Sequence, residues 1–120
     1  MDLLLTRLRS LTAVDHARLE TRLGITQATA DRGRITALLA GFYGFFQSFE
    51  PWAALSPIDP EFLAPRSKLD GLRSDLEALG HTRPQDLPTM PLDLGAPTAP
   101  RVFGALYVVE GATLGGQLIA

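Results

Sequence analysis

The sequence is organised around Gly104-Ala-Leu-Tyr107-Val-Val-Glu110-Gly111-Ala-Thr-Leu-Gly115-Gly116, near the C-terminal end. Leu106, Val109, Thr113 and Leu118 recur at helical steps with no proline among them, so the segment reads as a helix. Gly104, Gly111 and Gly115 fall along one face of it, with Gly116 beside them. An interior glycine costs about 1 kcal/mol relative to alanine, so four in one helix call for a compensating role. A bare backbone face serves where something flat or bulky must come close, or where the helix must bend.

The remaining chain supplies helices that can stand around that face. A length of 120 residues suits one domain, residues 1–120, able to bury a core. A net charge of −2 argues against a nucleic-acid partner, whose binding surface is normally basic. The absence of cysteine excludes disulfides, thiolate metal sites and cysteine nucleophiles, and suits a cytoplasmic location. The start, Met1-Asp-Leu-Leu-Leu-Thr-Arg, reads as neither a signal peptide nor a membrane span.

In chain order, Leu4, Leu8, Leu11, Leu19 and Leu23 mark a first amphipathic helix over about 3–23, stopped by Gly24. His16 falls on that stripe, so its ring is expected to point inward, with Asp15, Arg18 and Arg22 flanking it. Thr26 reads as the N-cap of a second helix running to about Phe49, where Pro51 limits or turns it. Phe42, Tyr43, Phe45, Phe46 and Phe49 concentrate aromatic side chains on that helix, more as core than as a cofactor box. One helical turn fits at Glu61–Leu63. Leu69, Leu72, Leu76 and Leu79 define a third helix from Arg66 to Leu79, which Gly80 ends. Residues 81–99, with Pro84, Pro88, Pro91 and Pro97, read as an ordered surface loop. The glycine helix opens at Thr98 or Ala99 and runs to 120, with Pro100 in its first turn. No alternating strand pattern is visible, so the fold class is all-α. The helix still runs at Leu118-Ile-Ala120 without a cap, so the bundle reads as truncated at the C-terminus.

Three features are candidates for chemistry, and each has a plainer alternative. His16 is either a satisfied core histidine or a metal ligand. A carboxylate di-metal site would require Glu-x-x-His pairs that the sequence lacks, whereas a single histidine suffices as an axial ligand to haem iron. The glycine face suits close helix packing or a flat group such as haem. Arg7, Arg9, Arg18 and Arg22 suit a solvated face or the carboxylates of a ligand.

Taken together these segments resemble the haem oxygenase family, most closely its bacterial branch found beside bacteriophytochromes. Leu8-Arg9-Ser-Leu-Thr12-Ala-Val-Asp-His16-Ala-Arg-Leu-Glu20 is similar to the family's proximal helix. Gly104-x-x-Tyr107-Val-x-Glu110-Gly111-x-x-Leu-Gly115-Gly116 is similar to its distal helix. Leu38-Leu, Phe42-Tyr-Gly-Phe, Glu50, Leu72, Asp75-Leu and Leu79-Gly80 resemble the second and third core helices.

The resemblance implies haem held between the two helices, with His16 as iron ligand and Glu20, Arg18 and Tyr107 also around the cofactor. It implies that Gly111, Gly115 and Gly116 bring the distal backbone over the ring and leave room for O2. The family consumes haem as cofactor and substrate, with O2 and an external electron donor such as a ferredoxin or reductase. The products are biliverdin, CO and ferrous iron, and a bacteriophytochrome is the implied recipient of the biliverdin. Many members carry an acid directly after the first distal glycine, where this chain has Ala112, as the phytochrome-linked branch tends to. Two other roles stay open: a haem-binding module without turnover, and a helical interaction module using Phe42, Phe45 and Phe46.

Overall fold

A computed structural model describes residues 2–23 and 31–119, with side chains through Gly111 except those of Asp2 and Leu23. The elements are α1 (Asp2–Leu23), α2 (Arg32–Ala54), α3 (Pro60–Leu63), a 3-10 turn at Ala64–Arg66, α4 (Leu69–Ala78), a second 3-10 turn at Pro84–Asp86, and α5 (Ala99–Ile119). The described residues are helical or irregular with no strand, so the fold is all-α. None of their helices is long and apolar enough to cross a membrane. The chain groups into two units, residues 1–38 and 39–120.

The first unit is dominated by α1. Its stripe forms as the periodicity requires, yet it stays exposed: Leu4, Leu8, Leu11 and Leu19 are all exposed. Thr12 and Thr21 turn their hydroxyls back onto the carbonyls of Leu8 and Ala17 at 2.8 and 3.0 Å, satisfying these side chains locally. The expected cap Thr26 lies outside the described residues. The start of α2 is capped by Asp31, whose carboxylate accepts the N–H groups of Gly33 and Arg34. An aspartate oxygen satisfies donors that the first helical turn leaves open.

The second unit is built on α2. Against the expectation of a stop at Pro51, α2 runs through it to Ala54. The proline ring is exposed, and the residues beyond it are anchored. Ala53 is buried in the core, and the Trp52 indole N–H donates to the Gly95 carbonyl at 2.8 Å. These contacts hold the last turn despite the hydrogen bond that proline removes. The core joins Phe49, Ala53 and Ile58 to Val102 and Leu106 of α5, with Phe45, Phe46, Trp52 and Leu63 packed around them. Phe45 stacks on Phe49 at 5.4 Å between ring centroids, and Phe46 meets Phe45 edge-on at 5.0 Å. The aromatic run is therefore core, although Phe42 at its start remains exposed.

Helix α4 begins at Leu69, three residues later than the sequence suggests, because Ala64–Arg66 is wound as a 3-10 turn. Its first turn is capped from α2: the Glu50 carboxylate accepts the Ser67 hydroxyl and the Lys68 N–H, the latter at 2.9 Å. Its end has the αL glycine expected of Gly80, at φ 106°. The His81 N–H reaches the Leu76 carbonyl, and the Gly80 N–H that of Glu77, which is the Schellman arrangement. Leu76 is completely buried.

The loop over residues 81–98 is ordered, as its prolines suggest, and it lies along α2. The Met90 N–H donates to the Gly44 carbonyl at 3.0 Å, and the Ser48 hydroxyl donates to the Met90 carbonyl. Gly44 makes this approach possible, since a Cβ there would lie 2.5 Å from the Pro88 carbonyl oxygen. Gly41, one turn earlier, has nothing within 4 Å of such a position. Urea denaturation should therefore separate the two: Gly44→Ala should lower stability by about 1–3 kcal/mol as the strap is displaced. Gly41→Ala should raise it by up to about 1 kcal/mol, the ordinary helix-propensity gain.

Candidate functional site

In the first unit, the candidate residue is the histidine on α1. His16 Nδ1 lies 3.1 Å from Glu20 Oε1, one helical turn on. A proton on Nδ1 donated to that carboxylate leaves Nε2 with its lone pair, the form in which an imidazole binds a metal. The expected inward turn of the ring is not found: the His16 side chain is 74% exposed. The reason lies in the helix itself, since the apolar stripe that His16 shares is exposed as well. Arg7, Arg9, Arg18 and Arg22 are exposed, and Arg18 and Arg22 have no ion-pair partner among the described residues.

In the second unit, the candidate residues lie on α5. The Thr98 hydroxyl accepts the Arg101 N–H at 3.4 Å, and the Thr98 carbonyl accepts the Val102 N–H at 3.0 Å, so the helix opens as the sequence suggests. From there a rotation of about 100° per residue sorts its side chains onto two faces. Val102 and Leu106 are buried against α2, with Val109 partly buried beside them. On the opposite side Gly104, Tyr107, Val108 and Gly111 are exposed, Tyr107 and Val108 to 67% and 68%. A Cβ at Gly104 or Gly111 would meet nothing within 4 Å. These glycines therefore do not serve close packing among the described residues. They leave a strip of bare backbone next to a tyrosine. The helical backbone continues through Gly115 and Gly116, while the side chains of Ala112 and Thr113 lie outside the described residues.

Glu110 lies about 100° around the helix from Gly111, and it meets a partner outside α5. Its Oε1 lies 3.9 Å from Arg66 Nε. Arg66 in turn lies over the Phe62 ring at 3.8 Å and donates to the Phe62 carbonyl at 2.9 Å. Phe62 meets Phe103 of α5 edge-on, at 5.8 Å between centroids. This cluster escaped the sequence reading, because residues 60–66 show no periodicity that would set Arg66 opposite α5.

Phe46, Phe49, Leu63, Leu69, Leu106 and Val109 line an open cleft of about 390 Å³. It borders the core side of α5, not the glycine side. It is apolar, and the polar groups at its edge are already engaged: Glu50 by Ser67 and Lys68, Arg66 by Phe62 and Glu110.

Of the candidate residues, His16, Arg18 and Glu20 thus share α1, with His16 and Glu20 in direct contact. Tyr107 and Gly111 share the open face of α5, with Gly115 and Gly116 further along the helix. Helix α1 offers an imidazole whose Nδ1 faces a carboxylate, and α5 separately offers an uncovered backbone.

The chain is similar to heme oxygenase PigA of Pseudomonas aeruginosa, with 34% identity over 117 residues covering 94% of the chain. The chain spans 57% of that relative's length. No family model matches the chain, and no solved structure matches it.

An uncovered helical glycine is a stability cost in the ligand-free protein. Gly104→Ala and Gly111→Ala should each stabilise the ligand-free chain, by about 0.5–1 kcal/mol. The check is chemical denaturation of each variant beside the parent, and a loss of stability would mean that a neighbour occupies this face.

Proposed function

We propose that residues 1–120 act as one haem oxygenase-like domain, with α1 as its proximal helix and α5 as its distal helix. The observation that carries this reading is the sidedness of α5. Its Val102 and Leu106 face is core, and its Gly104, Tyr107, Gly111 face is bare backbone and exposed side chain. The similarity to a heme oxygenase over nearly the whole chain supports the same reading.

The residues present suit haem. His16 offers Nε2 to the iron while Glu20 holds the proton on Nδ1, which fixes the tautomer and raises the basicity of the ligating nitrogen. The glycine face offers the flat macrocycle an approach that any Cβ would obstruct, and it places no acid of its own at that surface. Arg18 and Tyr107 are the groups assigned to the propionates, Arg18 by charge and Tyr107 by its hydroxyl. Gly111, Gly115 and Gly116 leave space for O2. Bound haem supplies the iron chemistry by which O2 and electrons from an external donor open the ring to biliverdin, CO and ferrous iron. The electron donor in this reading is a ferredoxin or a reductase, and the recipient of biliverdin is a bacteriophytochrome, in the cytoplasm.

A haemin titration followed at the Soret band tests this. The parent chain should bind one equivalent, and His16→Ala should weaken binding by about tenfold or more. Glu20→Gln should retain binding with a shifted Soret band, since a neutral amide supports the imidazole less. Ascorbate and O2 added to the parent complex should then yield biliverdin. A Soret response indifferent to His16 would overturn the ligand assignment. Stoichiometric binding without biliverdin would leave a haem-binding role and remove the catalytic one.

A further inference from the structure

We infer that Arg66 is a positioning residue, which fixes the rotation of α5 about its own axis and thereby presents the glycine face. This rests on the reading of that face given above. Two attachments join the Pro60–Arg66 segment to α5, and they are two helical turns apart. At one, the Phe62 ring meets Phe103 edge-on at 5.8 Å. At the other, Arg66 Nε faces Glu110 Oε1 at 3.9 Å. Arg66 ties the two together, because its guanidinium lies over the same Phe62 ring at 3.8 Å and donates to the Phe62 carbonyl at 2.9 Å. An exposed ion pair of this length holds little by itself. Here the planar guanidinium is already oriented by stacking and by a backbone acceptor, so little freedom remains to be lost in facing Glu110.

Alpha-helix α5 depends on this clasp because its core side is only partly filled. Val102 is completely buried, but one turn and two turns later Leu106 and Val109 border the open cleft of about 390 Å³. Close packing normally fixes how a helix is rolled, and over this stretch it is incomplete. Phe103 and Glu110 lie about 20° apart around the helix axis, well to one side of Gly104 and Gly111. Contacts there resist rotation without covering the glycine strip. Glu110 also immediately precedes Gly111, so its tether acts one residue from the backbone proposed to approach haem.

The test uses the full chain with Arg66→Ala and Arg66→Lys, and with Arg73→Ala as a control that removes an exposed pair on α4. In the ligand-free protein, amide hydrogen exchange over residues 102–111 should quicken by about tenfold in Arg66→Ala, with α4 unchanged. Arg66→Lys should fall between, since lysine keeps the charge but not the planar stack. In the haem-loaded protein, reduced and given CO, the carbonyl stretching band should shift or broaden in Arg66→Ala while haem affinity stays within about threefold. Unchanged exchange over 102–111 in Arg66→Ala would overturn the clasp, and so would a carbonyl band identical to that of the parent. A parent chain that binds no haem would instead overturn the proposed function, and hydrogen exchange would then decide the clasp alone.

Discussion

The core of the second unit depends on α5 burying one of its two faces. Val102 and Leu106 meet Phe49, Ala53 and Ile58, and that contact organises the aromatic run of α2 into a core. A soluble helix ordinarily turns a polar face outward. Here the outward face carries Gly104, Tyr107, Val108 and Gly111, which gives it little affinity for water and little bulk to pack. That is the face which the proposed function assigns to haem.

Alpha-helix α2 holds the rest of that unit in register. Its Phe49 and Ala53 supply the core, its Glu50 caps the start of α4, and its Gly44 admits the 87–95 strap. These duties fall on different sides of one helix, which explains how it persists through Pro51. The turn after the proline is held by packing and by the Trp52 indole, so it does not need the hydrogen bond that proline cannot make.

Periodicity made the long elements legible. The leucine stripe of α4, the Gly80 stop, the Thr98 opening of α5 and the ordered proline-rich loop all follow from residue pattern and turn chemistry. Long-range contacts were not legible in the same way. Glu50 caps a helix through an N–H eighteen residues later, and Arg66 pairs with Glu110 forty-four residues on; no local signal announces either. The inward turn expected of His16 assumed that an apolar stripe must be covered, and the exposed leucines beside it show why the inference from pattern to burial failed. The contact with Glu20, by contrast, needed only a four-residue spacing.

The strap over α2 is fastened almost wholly through its own main chain. The Met90 N–H and carbonyl and the Gly95 carbonyl make the bonds, and the partners on α2 are the Gly44 carbonyl, the Ser48 hydroxyl and the Trp52 indole. Side-chain identity therefore matters little at exposed Met90, where the main chain alone makes the bonds, but it matters at Leu92, which packs on the core, and at Gly95, whose φ of 75° suits only glycine. Sequence drift should accumulate at exposed strap positions such as Met90, while Leu92, Gly95 and the α2 positions beneath them stay constrained. Met90 is accordingly the position in the strap at which a label can be attached with least disturbance to α2.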